Sequence, residues 1–148
     1  MGLYRERVGS ALFVCRDEAN AQALVSQALV AARRIYSMPP AHGALLAGAI
    51  LSSDALTASW HDELETMCRR INGLRGSLRE KLESKSGRDF SFIEREKGMF
   101  SFLGPTPQQA LQLREEYSVY MLDSSRINVA GVNARNIDYL ADAVTAVL

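Results

Sequence analysis

Trp60, Leu64, Met67, Ile71, Leu74, Leu78 and Leu82 follow one another at steps of four, three, four, three, four and four residues. Residues three and four apart share one side of an α-helix, so this run dictates one helix with an unbroken apolar stripe. Ser52 or Ser53 can cap it, and it extends from Asp54 to about Glu83, roughly 45 Å at about 1.5 Å per residue. Gly73 and Gly76 allow a bend. In a chain with 47% hydrophobic residues the stripe reads as the spine of a packed domain rather than as a free coiled coil.

Ahead of the spine, Ala11-Leu12-Phe13-Val14-Cys15 predicts a buried strand over residues 8–15, because its apolar residues run on without alternation. Asp17 can cap a helix reaching about Tyr36, with Leu24, Val25, Ala28, Leu29, Ala32 and Ile35 on one face. Met38-Pro39-Pro40 ends it, since proline lacks a backbone donor and pushes its predecessor out of the helical region. Residues 41–51 predict a helix of small side chains suited to close packing.

Beyond the spine, Lys85-Ser86-Gly87-Arg88 reads as a turn, residues 89–93 as a weak strand and residues 98–104 as a better one between glycines. Thr106, with Pro107 at the first helical position and Gln109 at the third, forms a capping box for a helix to Tyr117. Strands are expected at 119–122 and 127–130, then a helix from about Ala134 to Leu148 capped by Asn133. The expected fold class is α/β in two unequal pieces. Residues 1–52 complete an α/β layer whose other strands are absent, and residues 53–148 form an α+β domain behind the long helix.

With 17 basic and 17 acidic side chains the chain has no net charge, which argues against a dedicated nucleic-acid or polybasic membrane surface. No apolar run reaches the length of a membrane span. Cys15 and Cys68 show neither metal spacing nor a disulfide framework, so a reducing compartment is expected. His42 and His61 are isolated, no serine sits in a nucleophile elbow, and no glycine-rich phosphate loop is present. What remains is anion-binding chemistry. Arg5 and Arg7 precede the first strand, Arg33 precedes the proline break, and Arg126 opens an apolar strand. Each can grip a phosphate or carboxylate through its planar fork, and each also has an ordinary reading as a salt-bridge or helix-end residue.

Four stretches carry a resemblance: Gly2-Leu3-Tyr4-x-Glu6-Arg7-Val8-Gly9, Tyr36-Ser37-x-Pro39-Pro40-Ala41-His42-Gly43-Ala44, Gly98-Met99-Phe100-Ser101-Phe102 and Ser125-Arg126-Ile127-Asn128-Val129-Ala130-Gly131. In unbroken order they resemble the C-terminal portion of aspartate and aromatic aminotransferases, pyridoxal-phosphate enzymes of fold type I. The resemblance implies a fragment comprising the last strand and helices of the large domain plus the small domain. It places the Schiff-base lysine two residues before Met1, so no catalytic residue is expected within the chain, and Lys81, Lys85 and Lys97 do not replace it. Arg7 resembles the ligand of the cofactor phosphate, Arg126 the arginine for the substrate α-carboxylate, and Arg33 the arginine that reaches across a homodimer to a second carboxylate. Phe100 and Ser101 resemble residues lining the substrate side of the small domain.

Two departures stand out: Met38 where the family usually has asparagine, and Ser125 where it has glycine. The implied reaction is reversible amino transfer between L-aspartate and 2-oxoglutarate through pyridoxal 5'-phosphate, with aromatic amino acids as a second substrate class. The implied partners are the missing N-terminal part of the same enzyme, a second subunit, and amino-acid and 2-oxo-acid substrates. The implied address is cytoplasmic, with an organellar form left open. The competing reading is a non-catalytic structural or interaction fragment, or a dicarboxylate-binding module.

Overall fold

The computed structural model describes residues 2–148, which divide into two compact units, the first ending at Leu64 and the second spanning Glu65–Leu148. The first unit holds a 3-10 turn at Tyr4–Glu6, helix α1 (Glu18–Tyr36), helix α2 (His42–Leu51) and the start of helix α3 (Asp54–Ser86). Asp17 is extended and its carboxylate accepts from the Asn20 backbone N–H at 2.8 Å, satisfying a donor that the first turn of α1 would leave free. At the other end Ser37 (φ 62°, ψ −68°) forms the centre of a γ-turn, closed by Met38 N–H donating to the Tyr36 carbonyl at 2.7 Å. Ser53 starts α3: its carbonyl accepts from Thr57 N–H at 2.9 Å.

Gly43 is the buried residue of α2. A Cβ there would stand 2.7 Å from Cβ of Glu6 and 3.2 Å from Cβ of Val8, so the missing side chain is what lets α2 approach residues 6–8.

The strand expected at residues 8–15 does not form. Leu12, Phe13 and Val14 are exposed and Cys15 is half-buried, not enclosed. A strand is a partnership between chain segments, and among the described residues the first unit contains no other strand to supply the ladder. The apolar face of α1 is equally open, with Val25, Leu29 and Ile35 exposed.

In the second unit α3 continues to Ser86 rather than ending at Glu83, and Gly87 at φ 68° stops it in the left-handed conformation that favours glycine. Burial along the spine increases toward its C-terminal end: Met67 is exposed, Ile71 and Leu74 are half-buried, and Leu78 and Leu82 are completely enclosed. Residues 89–93 make no strand. The Asp89 carboxylate accepts from Ser91 N–H at 2.7 Å, and this local turn leads into the short helix α4 (Phe92–Arg95).

Strand β1 (Phe100–Phe102) follows, then α5 (Pro107–Tyr117) with its complete Thr106–Gln109 capping box. The segment at 119–122 stays unpaired, because the sheet has two strands and β1 pairs instead with β2 (Arg126–Asn128). β2 ends before Ala130 because the Asn128 side-chain carbonyl accepts from Ala130 N–H at 3.0 Å, turning the chain into a 3-10 turn at Val129–Gly131. The last helix, α6 (Ile137–Val147), begins three residues later than Ala134: Asn133 and Asn136 exchange local hydrogen bonds that hold the intervening residues in a turn.

Leu78 and Leu82 of α3, Ile93, Leu103, Leu113 of α5, and Ala141 and Val144 of α6 make one apolar core. Outside it, Lys81 meets Asp138 at 2.5 Å and Lys85 pairs with Asp142, a two-rung ladder between α3 and α6. The hydrogen bond from Lys81 holds the Asp138 carboxyl below its ordinary value, and Asp142 holds Lys85 above its own. These lysines are thereby engaged in the fold. No helix of the described chain is long and apolar enough to cross a membrane.

Candidate functional site

The antiparallel register sets Phe100 opposite Asn128, Ser101 opposite Ile127 and Phe102 opposite Arg126. Alternation puts Phe100 and Phe102 on one face and Ser101 on the other, and burial follows: both phenylalanines are exposed while Ser101 is fully enclosed. Arg126 leans diagonally over the Phe100 ring, its guanidinium carbon 4.7 Å from the ring centroid. Among the described residues Arg126 has no acidic partner and no side-chain hydrogen bond, so its forked donors stay open to solvent. It also borders a groove of about 670 Å³ with Tyr120, Asn128, Asn136 and Tyr139.

Ser125, just before this arginine, is buried at φ 63°. Its N–H donates to the Leu122 carbonyl at 2.8 Å and its own carbonyl accepts from Leu103 N–H at 3.1 Å. The left-handed backbone explains why glycine suits this position, and the structure accommodates a serine there at a conformational cost.

Ser101 does not line the exposed face with Phe100. Its hydroxyl donates to Glu96, whose other carboxylate oxygen accepts from Phe102 N–H at 3.3 Å. Glu96 in turn pairs with Arg75 at 3.4 Å. Arg75 is 1% exposed and donates to the carbonyls of Ile93 (2.8 Å), Gly98 (2.9 Å) and Phe100 (2.8 Å). Reading the sequence for exposed arginines passes over Arg75. Its signal is position: four residues after Ile71 and three before Leu78, it stands beside Leu74 on the apolar side of α3 and brings there a charge that must find buried partners.

In the first unit Arg7 follows the opening 3-10 turn with φ 51°. Its guanidinium donates to the Tyr4 carbonyl at 3.3 Å and sits 5.6 Å from the Tyr4 ring centroid, with no carboxylate competing among the described residues. Glu6 turns away to His42, 3.1 Å from its Nδ1, which gives that histidine a structural partner. The His61 ring lies against Trp60, with centroids 4.8 Å apart. Arg33 stands exposed in the last turn of α1, beside a shallow apolar groove that includes Val25, Leu29 and Val30. Thus Arg126 and Phe100 are brought together in one unit, while Arg7 and Arg33 occupy separate positions in the other. No group of three or more metal-ligating side chains occurs among the described residues.

Residues 1–144 match the family described as aminotransferase class I and II. The chain is 47% identical to an aspartate aminotransferase of Escherichia coli strain K12, across 99% of this chain and 37% of that enzyme. It is 45% identical to an aromatic-amino-acid aminotransferase of Pseudomonas aeruginosa with the same coverage. The crystal structure of an aromatic-amino-acid aminotransferase from Burkholderia pseudomallei, covalently bound to pyridoxal phosphate, superposes with a TM-score of 0.88 at 43% identity, over 99% of this chain and 37% of that one. The chain therefore spans little more than a third of these relatives, and by a match covering nearly its whole length it belongs to the class I and II aminotransferase family.

Proposed function

We propose that the protein carrying this chain is a pyridoxal-phosphate-dependent aminotransferase that moves an amino group reversibly between L-aspartate and 2-oxoglutarate and also accepts aromatic amino acids. The observation that carries this reading is the Arg126–Phe100 pair: an arginine with no acidic partner among the described residues, backed by an aromatic face on a hydrogen-bonded strand. Such a guanidinium takes a carboxylate through two parallel hydrogen bonds, which fixes orientation as well as charge. The kinship with both aspartate and aromatic enzymes supports the two substrate classes.

Arg7 suits the cofactor phosphate, since its donors meet only Tyr4 and its neighbour Glu6 is occupied by His42. When bound, pyridoxal phosphate supplies the electron sink for bond changes at the amino-bearing carbon. The chain's own part is to anchor that phosphate through Arg7, to hold the α-carboxylate through Arg126 against Phe100, and to present Arg33 to a second carboxylate across a homodimer interface. The resemblance assigns the lysine that bonds the cofactor to a place outside these 148 residues, and Lys81 and Lys85 are already paired with Asp138 and Asp142, so the chain alone is proposed to be inactive. In this reading residues 1–52 belong to the large domain and residues 53–148 to the small domain. The proposed address is cytoplasmic, in keeping with two unpaired cysteines.

The test is Arg33→Asp in the whole enzyme. Reversing this charge is expected to lower kcat/KM for aspartate by on the order of 10²- to 10³-fold and for phenylalanine by less than about tenfold. Equal losses for the two substrates would remove Arg33 from the side-chain carboxylate site.

A further inference from the structure

We infer that Arg75 is a positioning residue for substrate carboxylate binding, its buried guanidinium setting the place of Phe100 and through it that of Arg126. The inference rests on the assignment of Arg126 to the α-carboxylate. An arginine that is 1% exposed is unfavourable in a core unless nearly all its donors are matched. Here they are spent on one segment: the carbonyls of Ile93, Gly98 and Phe100, and the Glu96 carboxylate.

On the edge away from β2 that segment has no strand beside it, since the sheet holds two strands. β1 is three residues long, and Gly98 just before it lies at φ 82°, outside any regular element. Arg75 therefore supplies donors of the kind a neighbouring strand would supply. Glu96, itself half-buried, completes the hold by accepting from the Ser101 hydroxyl and the Phe102 N–H, so consecutive residues of β1 are fixed by one ion pair. Phe100 lies at the junction. Its carbonyl accepts from Arg75 at 2.8 Å, and its ring carries the Arg126 guanidinium at 4.7 Å. A shift of this backbone moves the surface on which the carboxylate-binding fork rests.

Arg75→Lys keeps the charge but replaces a planar fork by a point donor that cannot span the same acceptors. In the whole enzyme we expect it to raise KM for aspartate and for phenylalanine by the same factor, on the order of tenfold, with kcat changed by less than about threefold. A merely structural role would reduce the amount of folded enzyme, and so apparent kcat, without moving KM. The second readout is independent of turnover: the Arg126 Nε–Hε resonance, which the Phe100 ring 4.7 Å from the guanidinium carbon is expected to displace in the parent, should shift in Arg75→Lys in the same direction as in Phe100→Leu. If Arg75→Lys does not fold, Glu96→Gln, which removes the ion pair while keeping an acceptor, must give the same two changes at smaller size.

A folded variant with unchanged KM and an unmoved Arg126 signal overturns the inference. A shifted signal without any change in KM also overturns it. If the parent transaminates no amino acid, the functional proposal fails, and the Arg126 resonance alone then decides whether Arg75 positions the pair.

Discussion

The two units use similar amounts of apolar sequence to opposite effect. In the second, Leu78, Leu82, Ile93, Leu113 and Val144 are fully enclosed, and ion pairs and caps decorate a core that already exists. In the first, Gly43 is the one buried residue among those described, while Leu12, Phe13, Val14, Leu29 and Ile35 face solvent. Helices need little beyond local hydrogen bonds and caps to be drawn, whereas burial needs a second surface. An exposed apolar face of this extent marks a place where protein is meant to pack.

The sharpest way to break this contrast is a pair of truncations in the 148-residue chain. Leu113→Ala empties a fully buried site and should cost about 3 kcal/mol of unfolding free energy. Leu29→Ala removes a side chain that is 65% exposed and should change it by less than about 0.5 kcal/mol. Denaturant titration with near-equal losses would show that α1 packs against a core after all.

The same contrast explains what could be read from the sequence. Asp17, Ser53 and the Thr106–Gln109 box announce helix starts because a cap is made within four residues. The runs at 8–15, 89–93 and 119–122 have strand-like composition, yet a strand depends on a partner that local pattern does not specify. Residues 126–128 found such a partner in β1, and residues 119–122 did not. Arg126 and Phe100 were visible as separate residues, but their stacking is a property of register. Arg75 stayed hidden because its partners are mainly backbone carbonyls, which every sequence contains.

A smaller effect tests how finely the second unit is tuned. Ser125 occupies a left-handed backbone, so Ser125→Gly should stabilise the chain by about 1 kcal/mol, with the thermal midpoint rising accordingly. A fall in the midpoint would mean that the serine side chain contributes more than its backbone strain removes.

The smallest expected effect concerns the ladder on α6. Because Lys81 lowers the folded-state pKa of Asp138, that pair adds stability above the ordinary carboxylate range and loses it as pH falls through the lowered value. Lys85 has the opposite sign: held above its ordinary value by Asp142, it adds stability below the unfolded lysine pKa and loses it as pH rises through the raised one. The Tm difference between the parent and Asp138→Asn should therefore be present at pH 7, small as for any exposed pair, and close toward zero in strong acid. A difference that persists there would assign the effect to helix capping rather than to charge.

Gly43 has a bearing on how such a chain can be altered. Alanine inside a helix ordinarily improves it by about 1 kcal/mol, and a stability-guided redesign of α2 would choose that exchange first. Here the added methyl would stand 2.7 Å from Glu6, the residue next to Arg7. The position works as a clearance gauge between a helix and the loop that carries Arg7, and on the role proposed for that arginine Gly43→Ala is expected to show itself as weakened cofactor retention, a defect appearing in a loop the substitution never touched in sequence.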